Sequence, residues 1–384
     1  MPVLLLAAFS RTSALDDLAE RAVIDAGVAR AAALGVAVRA GGEWSVEVGA
    51  AGKLGRTIRA SELTPFDLAS VSKSFVACCF ARLWKRGVLQ PQTELESLVP
   101  ECRGTRSARR SLAALLSHRA GLEGHRRLFA PLERGRPIER TTALRTAANA
   151  ERRDVSNTLE PPPLYSDLGY LLAGEALARA AGCALDQLVE NEVSRPLGLG
   201  AGSARQWLRR EPDFRNLVAP TEDVAFRGGT LTGVVHDENA WAFAGHGLAG
   251  QAGLFGTVLD VLGFGTALLD ALSGRNEGWL ERAALEFLIA PRPGGTLRLG
   301  FDGKSDEHSS AGPGASTRTF GHLGFTGTSC WCDPSAEAVT VLLTNRVCPT
   351  RENLRIRACR PIVHEALFER ARHLRRAYGP GEHG

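Results

Sequence analysis

Strand signals stand at the two ends of this chain and are absent from its middle, and that arrangement constrains the fold more than any other feature. Near the start, residues 35–40 and 44–49 alternate apolar and polar positions across Ala40-Gly41-Gly42, which predicts a β-hairpin. Near the end, residues 320–332 and 338–344 are β-rich runs joined by Asp333-Pro334-Ser335, a turn set by its proline. Between them, residues 64–236 carry helical patterns broken by Pro/Gly loops, such as 112–117 and 168–181. Helical periodicity also covers 13–26, and a last helix is expected over 353–373, kinked or restarted at Pro361. The predicted architecture is therefore α/β (α+β): an antiparallel sheet completed by both chain ends, flanked by helices, with an inserted helical lobe. Residues 1–64 and 237–384 would form the α/β lobe and 65–236 the mostly helical lobe, with Ser70 at the cleft between them. Residues 294–319, rich in Gly, Ser and Pro, read as a long loop of the kind that shapes a site.

Charge and cysteine content exclude several function classes. The net charge is +4, and the basic residues run from Arg11 to Arg376 among acidic neighbours, so no basic stripe for nucleic acid exists. No stretch approaches the roughly 18 uninterrupted apolar residues of a membrane span. The apolar run at 3–9 has no basic residue before it and reads as a first strand or frayed start rather than a signal peptide. The eight cysteines show no C-x-x-C pair and no zinc-ligand spacing, so they are expected to be buried, reduced thiols, with no metal site. Reduced thiols point to the cytoplasm, the alternative being a periplasmic or secreted protein with a degenerate signal at 3–9.

Only four of the 46 basic residues are lysines, and one of them, Lys73, sits between Val71 and Phe75. A lysine kept in an apolar stretch, where arginine serves elsewhere as the surface cation, points to proton chemistry. Ser70 lies three residues earlier, at or just before the start of a helix whose apolar positions recur at 71, 75, 79 and 83. That spacing puts the Lys73 amine on the face of the Ser70 hydroxyl, and the helix N-terminus favours a developing oxyanion. The bland alternative is a helix-capping serine and a snorkelling lysine.

Two further segments bear on that choice. In Pro161-Pro-Pro-Leu-Tyr165-Ser166-Asp167, three prolines stiffen the approach to a helix and present Tyr165 at a fixed place. Either Ser166 or Asp167 merely caps that helix, or the Tyr165 phenol, its pKa lowered by Lys73, acts as a general base. In Gly321-His322-Leu323-Gly324-Phe325-Thr326-Gly327-Thr328, on a predicted strand, Gly324 leaves an edge against which a substrate can lie and the Phe325 N–H can face its carbonyl. His322 lies beside the bound group or is a strand histidine bonded to a neighbour.

Ser-x-x-Lys, Tyr-x-Asp and His-x-Gly in this order resemble the active-site elements of the penicillin-recognising serine hydrolases. The tyrosine is similar to that of class C β-lactamases, D-Ala-D-Ala carboxypeptidases, D-aminopeptidases and related esterases. FDLASVSKSF, LAALLSHRAGL, PLYSDLGYLLAG, AGLFGT and GHLGFTGTS all resemble family segments, over most of the chain from Pro65 to Pro361. The resemblance implies an acyl-enzyme mechanism without metal or cofactor, acting on a small acyl substrate. It makes Ser70 the nucleophile, Lys73 and Tyr165 joint holders of the base role, and Asp167 a partner of Lys73. The N–H groups of Ser70 and Phe325 form the oxyanion hole beside Gly324, and His322 stands where the third motif has lysine.

Departures from the family pattern narrow the substrate. Asp167 replaces the usual Asn and would favour a charged Lys73, leaving Tyr165 as the better base. His322 and Leu323 remove a fixed cation and a hydroxyl that β-lactamases use to hold a carboxylate, so ester, amide or peptide hydrolysis is expected ahead of β-lactam hydrolysis. GHLGFTGTS and LLTNRVCPTREN resemble a subgroup with amidases of N-acetylmuramyl peptides. At Gln251 similar sequences carry His, and no chemistry is assigned to that loop. The competing class is a penicillin-binding-type receptor or scaffold that does not turn over.

Overall fold

The computed structural model describes residues 9–152, 161–275, 278–306 and 308–378. Apart from Phe9, the apolar run at 3–9 lies outside the described residues.

Seven strands form one sheet: β1 (Ser10–Arg11), β2 (Ala31–Ala40), β3 (Glu43–Gly52), β4 (Asp302–Gly303), β5 (Phe320–Leu323), β6 (Ser329–Asp333) and β7 (Ala338–Thr344). Their spatial order is β1-β3-β2-β7-β6-β5-β4, so the first strands of the chain pair directly with the last. The β2–β3 hairpin pairs Ala40 with Glu43 across Gly41 and Gly42, both at positive φ. Two-residue hairpin turns of that type need left-handed backbone, which glycine adopts without a Cβ penalty.

The sheet departs from the expected all-antiparallel form at one edge, where β1 pairs with β3 in parallel. Helix α1 (Ser13–Ala19), capped by Thr12, follows β1 and carries the chain across the sheet before β2 begins. A crossover of that kind permits parallel pairing. The helix expected over 13–26 changes its winding after Ala19, to a π-helical stretch over Glu20–Asp25.

Both faces of the sheet are covered. Ala31, Ala33 and Ala37 of β2 point into one core and Ala32, Leu34, Val36 and Val38 into the other. Strands buried on both sides read as nearly continuous apolar runs, as AAALGVAV does. One core holds α2 (Ser72–Lys85), α3 (Asp167–Ala181) and α4 (Val258–Leu272); the other holds α1 and α5 (Ile356–Tyr378). Phe264 of α4 stacks on Phe75 of α2 at 3.9 Å between ring centroids, which ties the sheet layer to the helix behind Ser70.

Three further expectations need correction. The 320–332 run is two strands, because Gly324 N–H bonds back to the Thr328 carbonyl at 2.7 Å and closes a tight hairpin. The loop expected over 294–319 contains β4. Of the kink or restart expected at Pro361, the restart is absent, since helix α5 runs through it. Pro361 lies just past the first turn, so it removes a single helix bond, while Val363, Leu367 and Phe368 anchor the following turns in the core.

All eight cysteines are free; seven are buried and Cys183 is half-buried. Among the described residues, no single helix is long and apolar enough to cross a membrane.

Candidate active site

Ser70 occupies a short 3-10 turn, Ala69–Val71, immediately ahead of α2. Ala69 has φ +46°, a left-handed conformation that costs an alanine roughly 1–2 kcal/mol. The Asp67 carboxylate holds it there: Oδ1 accepts the Ala69 N–H at 2.8 Å and Oδ2 accepts the His236 N–H at 2.7 Å. The strain fixes the direction in which the chain turns from Asp67 to Ser70.

One helical turn on, the Lys73 amine donates to Ser70 Oγ at 2.8 Å, to Asp167 Oδ1 at 2.8 Å and to the Gln251 carbonyl at 3.1 Å. Lys73 is fully buried, so all three donors are spent inside the protein. Burial pushes its pKa down, but the Asp167 carboxylate, and then Tyr165, push it up further, and the net direction is upward. Lys73 is therefore held as an ammonium ion, as the Asp167 substitution predicts.

Tyr165 and Asp167 come from the start of α3, where Ser166 is the capping residue, its Oγ accepting the Gly169 N–H at 3.2 Å. Capping and chemistry thus fall to adjacent residues of one segment. The Tyr165 ring lies with its centroid 4.8 Å from Lys73 Nζ, and its phenol interacts with both Lys73 and Ser70. The expected lowering of its pKa does not hold. Burial pushes the phenol up by more than Lys73 pulls it down, and Asp167 adds to the rise. Tyr165 is half-buried, so water in the cleft moderates that push.

The 324–328 hairpin is brought to Ser70 by two threonines. Thr326 Oγ1 donates to the Asp67 carbonyl at 2.7 Å and Thr328 Oγ1 to the Leu68 carbonyl at 2.9 Å. A Cβ on Gly324 would lie 2.7 Å from the Leu68 oxygen and overlap Thr328 Oγ1. Glycine is required there for this backbone approach, and Gly324 also lines the cleft. The Phe325 ring is half exposed, 4.3 Å from the Arg346 guanidinium.

His322 bonds through Nδ1 to the Leu323 carbonyl at 2.8 Å. A carbonyl only accepts, so Nδ1 carries the proton and Nε2 is the free acceptor. Burial, and then the charge on Lys73, push its pKa down to about 3. His322 is neutral and does not replace the cation of the third motif.

Sequence reasoning missed His118 and the Gln251 loop. His118 Nδ1 accepts the Ser166 N–H at 2.9 Å, and its ring stacks on Tyr165 at 4.6 Å, so it sets where Tyr165 stands. Its signal was the SHRAGL end of a family-like segment. Gln251, next to AGLFGT, acts through its main-chain oxygen, which no side-chain pattern reveals.

Ser70, Tyr165, Asp167, His322, Gly324 and Phe325 line one cleft of about 750 Å³, with Lys73 in its wall. A second cavity, of about 510 Å³ beside α3, contains none of these residues. Its arginines Arg140, Arg179 and Arg205 are already paired with Glu175, Glu101 and Asp186.

Known proteins resemble this chain in sequence and in fold. The Beta-lactamase family model matches residues 21–359. N-acetylmuramyl-L-alanine amidase of Bacillus subtilis (strain 168) is 27% identical over 315 residues, 76% of this chain and 70% of that protein. Among solved structures, EstCE1, a hydrolase with promiscuous acyltransferase activity, superposes with TM-score 0.66 at 22% identity, covering 91% of this chain and 97% of its own. A class C beta lactamase from Rhodobacter sphaeroides gives 0.65 at 19% identity, over 92% and 100% of the two chains. With an intact Ser-x-x-Lys pair in a family-matched frame, the chain belongs to the beta-lactamase family of serine hydrolases.

Proposed function

We propose that this protein hydrolyses a small ester, amide or peptide through an acyl-enzyme on Ser70. The observation that carries the reading is Lys73 Nζ, 2.8 Å from both Ser70 Oγ and Asp167 Oδ1, in the wall of an open cleft. Ser70 Oγ attacks the substrate carbonyl, whose oxygen gains negative charge and is met by the Ser70 and Phe325 N–H groups. The serine proton passes to the Lys73/Tyr165 pair in the form that has lost one proton, with the Tyr165 phenolate as acceptor because Asp167 keeps Lys73 charged. Collapse of the intermediate breaks the acyl bond, and the leaving group takes that proton. Water, deprotonated by the same pair, then attacks the ester and frees Ser70.

A cell-wall-derived muramyl peptide is the natural candidate among amides, by analogy with the amidase relative. The eight free thiols support a cytoplasmic setting. The test is reaction of the protein and its Ser70→Ala variant with p-nitrophenyl acetate, nitrocefin and a muramyl-alanine amide, with mass spectrometry of the adduct. Turnover should fall by at least about a thousandfold in the variant, with the wild-type adduct on the Ser70 peptide. A stable adduct without turnover would instead make the protein a penicillin-binding-type receptor.

A further inference from the structure

We infer that Asp237 is a positioning residue of the acyl-transfer site: through the Gln251 side chain it holds in place the main-chain carbonyl that takes the third proton of Lys73. The inference rests on the hydrolase reading and adds to that site a residue outside its three motifs.

Two acceptors of the Lys73 amine belong to the motifs, Ser70 Oγ and Asp167 Oδ1, and the third is the Gln251 carbonyl at 3.1 Å. A loop carbonyl points only where its flanking residues hold it, so the stretch between the helix Glu238–Ala244 and the strand Leu254–Gly256 has to be pinned. Against α3, a Cβ on Gly250 would overlap the Tyr170 carbonyl, so the two backbones touch. Against α2, the Leu254 N–H donates to Ser72 Oγ at 3.2 Å. Facing Asp237, Gln251 Nε2 donates to the carboxylate Oδ1 at 3.1 Å.

That third pin is set by the carboxylate. Gln251 is 1% exposed, and its Oε1 is buried without a hydrogen-bond partner. An empty buried acceptor is unfavourable. The turned amide would set Oε1 against Asp237 Oδ1, oxygen against oxygen, so the carboxylate fixes the orientation and leaves Oε1 empty. Oδ1 accepts the N–H in either charge state of the carboxyl, so the bond survives the rise in pKa that burial, and then Asp167, impose on Asp237.

Asp237 is itself anchored. Its Oδ1 also accepts the Ala240 N–H at 2.6 Å as a helix cap. The N–H of its neighbour His236 donates at 2.7 Å to Asp67 Oδ2, and Asp67 Oδ1 holds Ala69 ahead of Ser70. One bonded path thus runs from the Ser70 turn through His236, Asp237 and Gln251 to Lys73. Asp237 is half-buried in the cleft wall and acts on the amine through Gln251.

The test compares three variants. Asp237→Ser keeps a helix cap but is too short to reach Gln251, Gln251→Leu removes the amide, and Asp237→Asn has an oxygen that can accept both N–H groups. On p-nitrophenyl acetate, Asp237→Ser and Gln251→Leu should each lower kcat by about tenfold or more, with KM within about twofold of wild type. The double variant should fall no further than the poorer single variant, and Asp237→Asn should stay close to wild type. Unchanged kcat in both single variants, losses that multiply in the double variant, or an Asn variant as poor as the Ser variant overturns the inference. If Asp237→Ser does not fold, Gln251→Leu and Asp237→Asn decide. If no ester is turned over, the hydrolase reading fails separately, and NMR exchange rates of the Lys73 ammonium protons decide, in protein labelled at lysine nitrogen. Lys73 alone of the four lysines is buried, which identifies its signal. Exchange faster by about tenfold or more in Asp237→Ser and Gln251→Leu sustains the inference, and rates equal to wild type overturn it.

Discussion

Two buried cations border the cleft that holds Ser70, and they are solvated by the protein in opposite ways. Lys73, on the α2 side, has a carboxylate, a hydroxyl and a carbonyl for its three protons. Arg360, on the α5 side, has two carbonyls and an orphaned Nε. The paired cation gains proton affinity and is locked in place, so it can organise proton transfer but is slow to give up its own proton. The second cation has no carboxylate partner among the described residues and keeps its charge on carbonyl dipoles. One cleft thus holds a finished charge pair and an unfinished one.

Removing Lys73 should have the largest effect. Lys73→Met should lower kcat/KM by at least about a thousandfold on p-nitrophenyl acetate. It should also cost up to about 3 kcal/mol in urea unfolding, the upper part of the range being excluded because cleft water reaches Asp167. Retained activity in this variant would mean that the pair plays no part in proton transfer.

Removing the carboxylate instead should shift a pH profile. Lys73 and Tyr165 are both pushed up partly by Asp167, so kcat/KM should rise with pH as the pair loses its proton. Asp167→Asn deletes that contribution for both groups, so the rising limb should move to lower pH by about one unit or more. A limb that stays fixed would assign the titration to another group.

Arg360→Met should have the smallest effect on stability, within about 1 kcal/mol of wild type in the same urea assay, because an uncompensated buried charge leaves with the lost hydrogen bonds. A loss as large as that of Lys73→Met would show that Arg360 is a structural pin of the hairpin, and the contrast between the two cations would disappear.

Ser70, Lys73, Tyr165 and Asp167 were legible in the sequence because their relations are local. A helix brings residues three apart onto one face, and a proline-stiffened cap presents Tyr165 and Asp167 together. The β2–β3 turn was legible for the same reason, since Gly41-Gly42 fixes it within four residues. The 324–328 hairpin was read instead as continuous strand, because its closing bond and its threonine anchors on Asp67 and Leu68 leave no periodic signature.

By itself, then, the sequence determined the α/β architecture, the motif order and the pairing of a serine with a lysine on one helical turn. Only the tertiary structure decided that Tyr165 has its pKa raised, that Gly324 is needed for backbone contact, that His322 is neutral, and that Arg360 bonds the Gly324 and Thr328 carbonyls. Each of those depends on burial and on partners far away in the chain. Desolvation and unpaired charge are properties of an assembled interior, and no spacing along the chain encodes them.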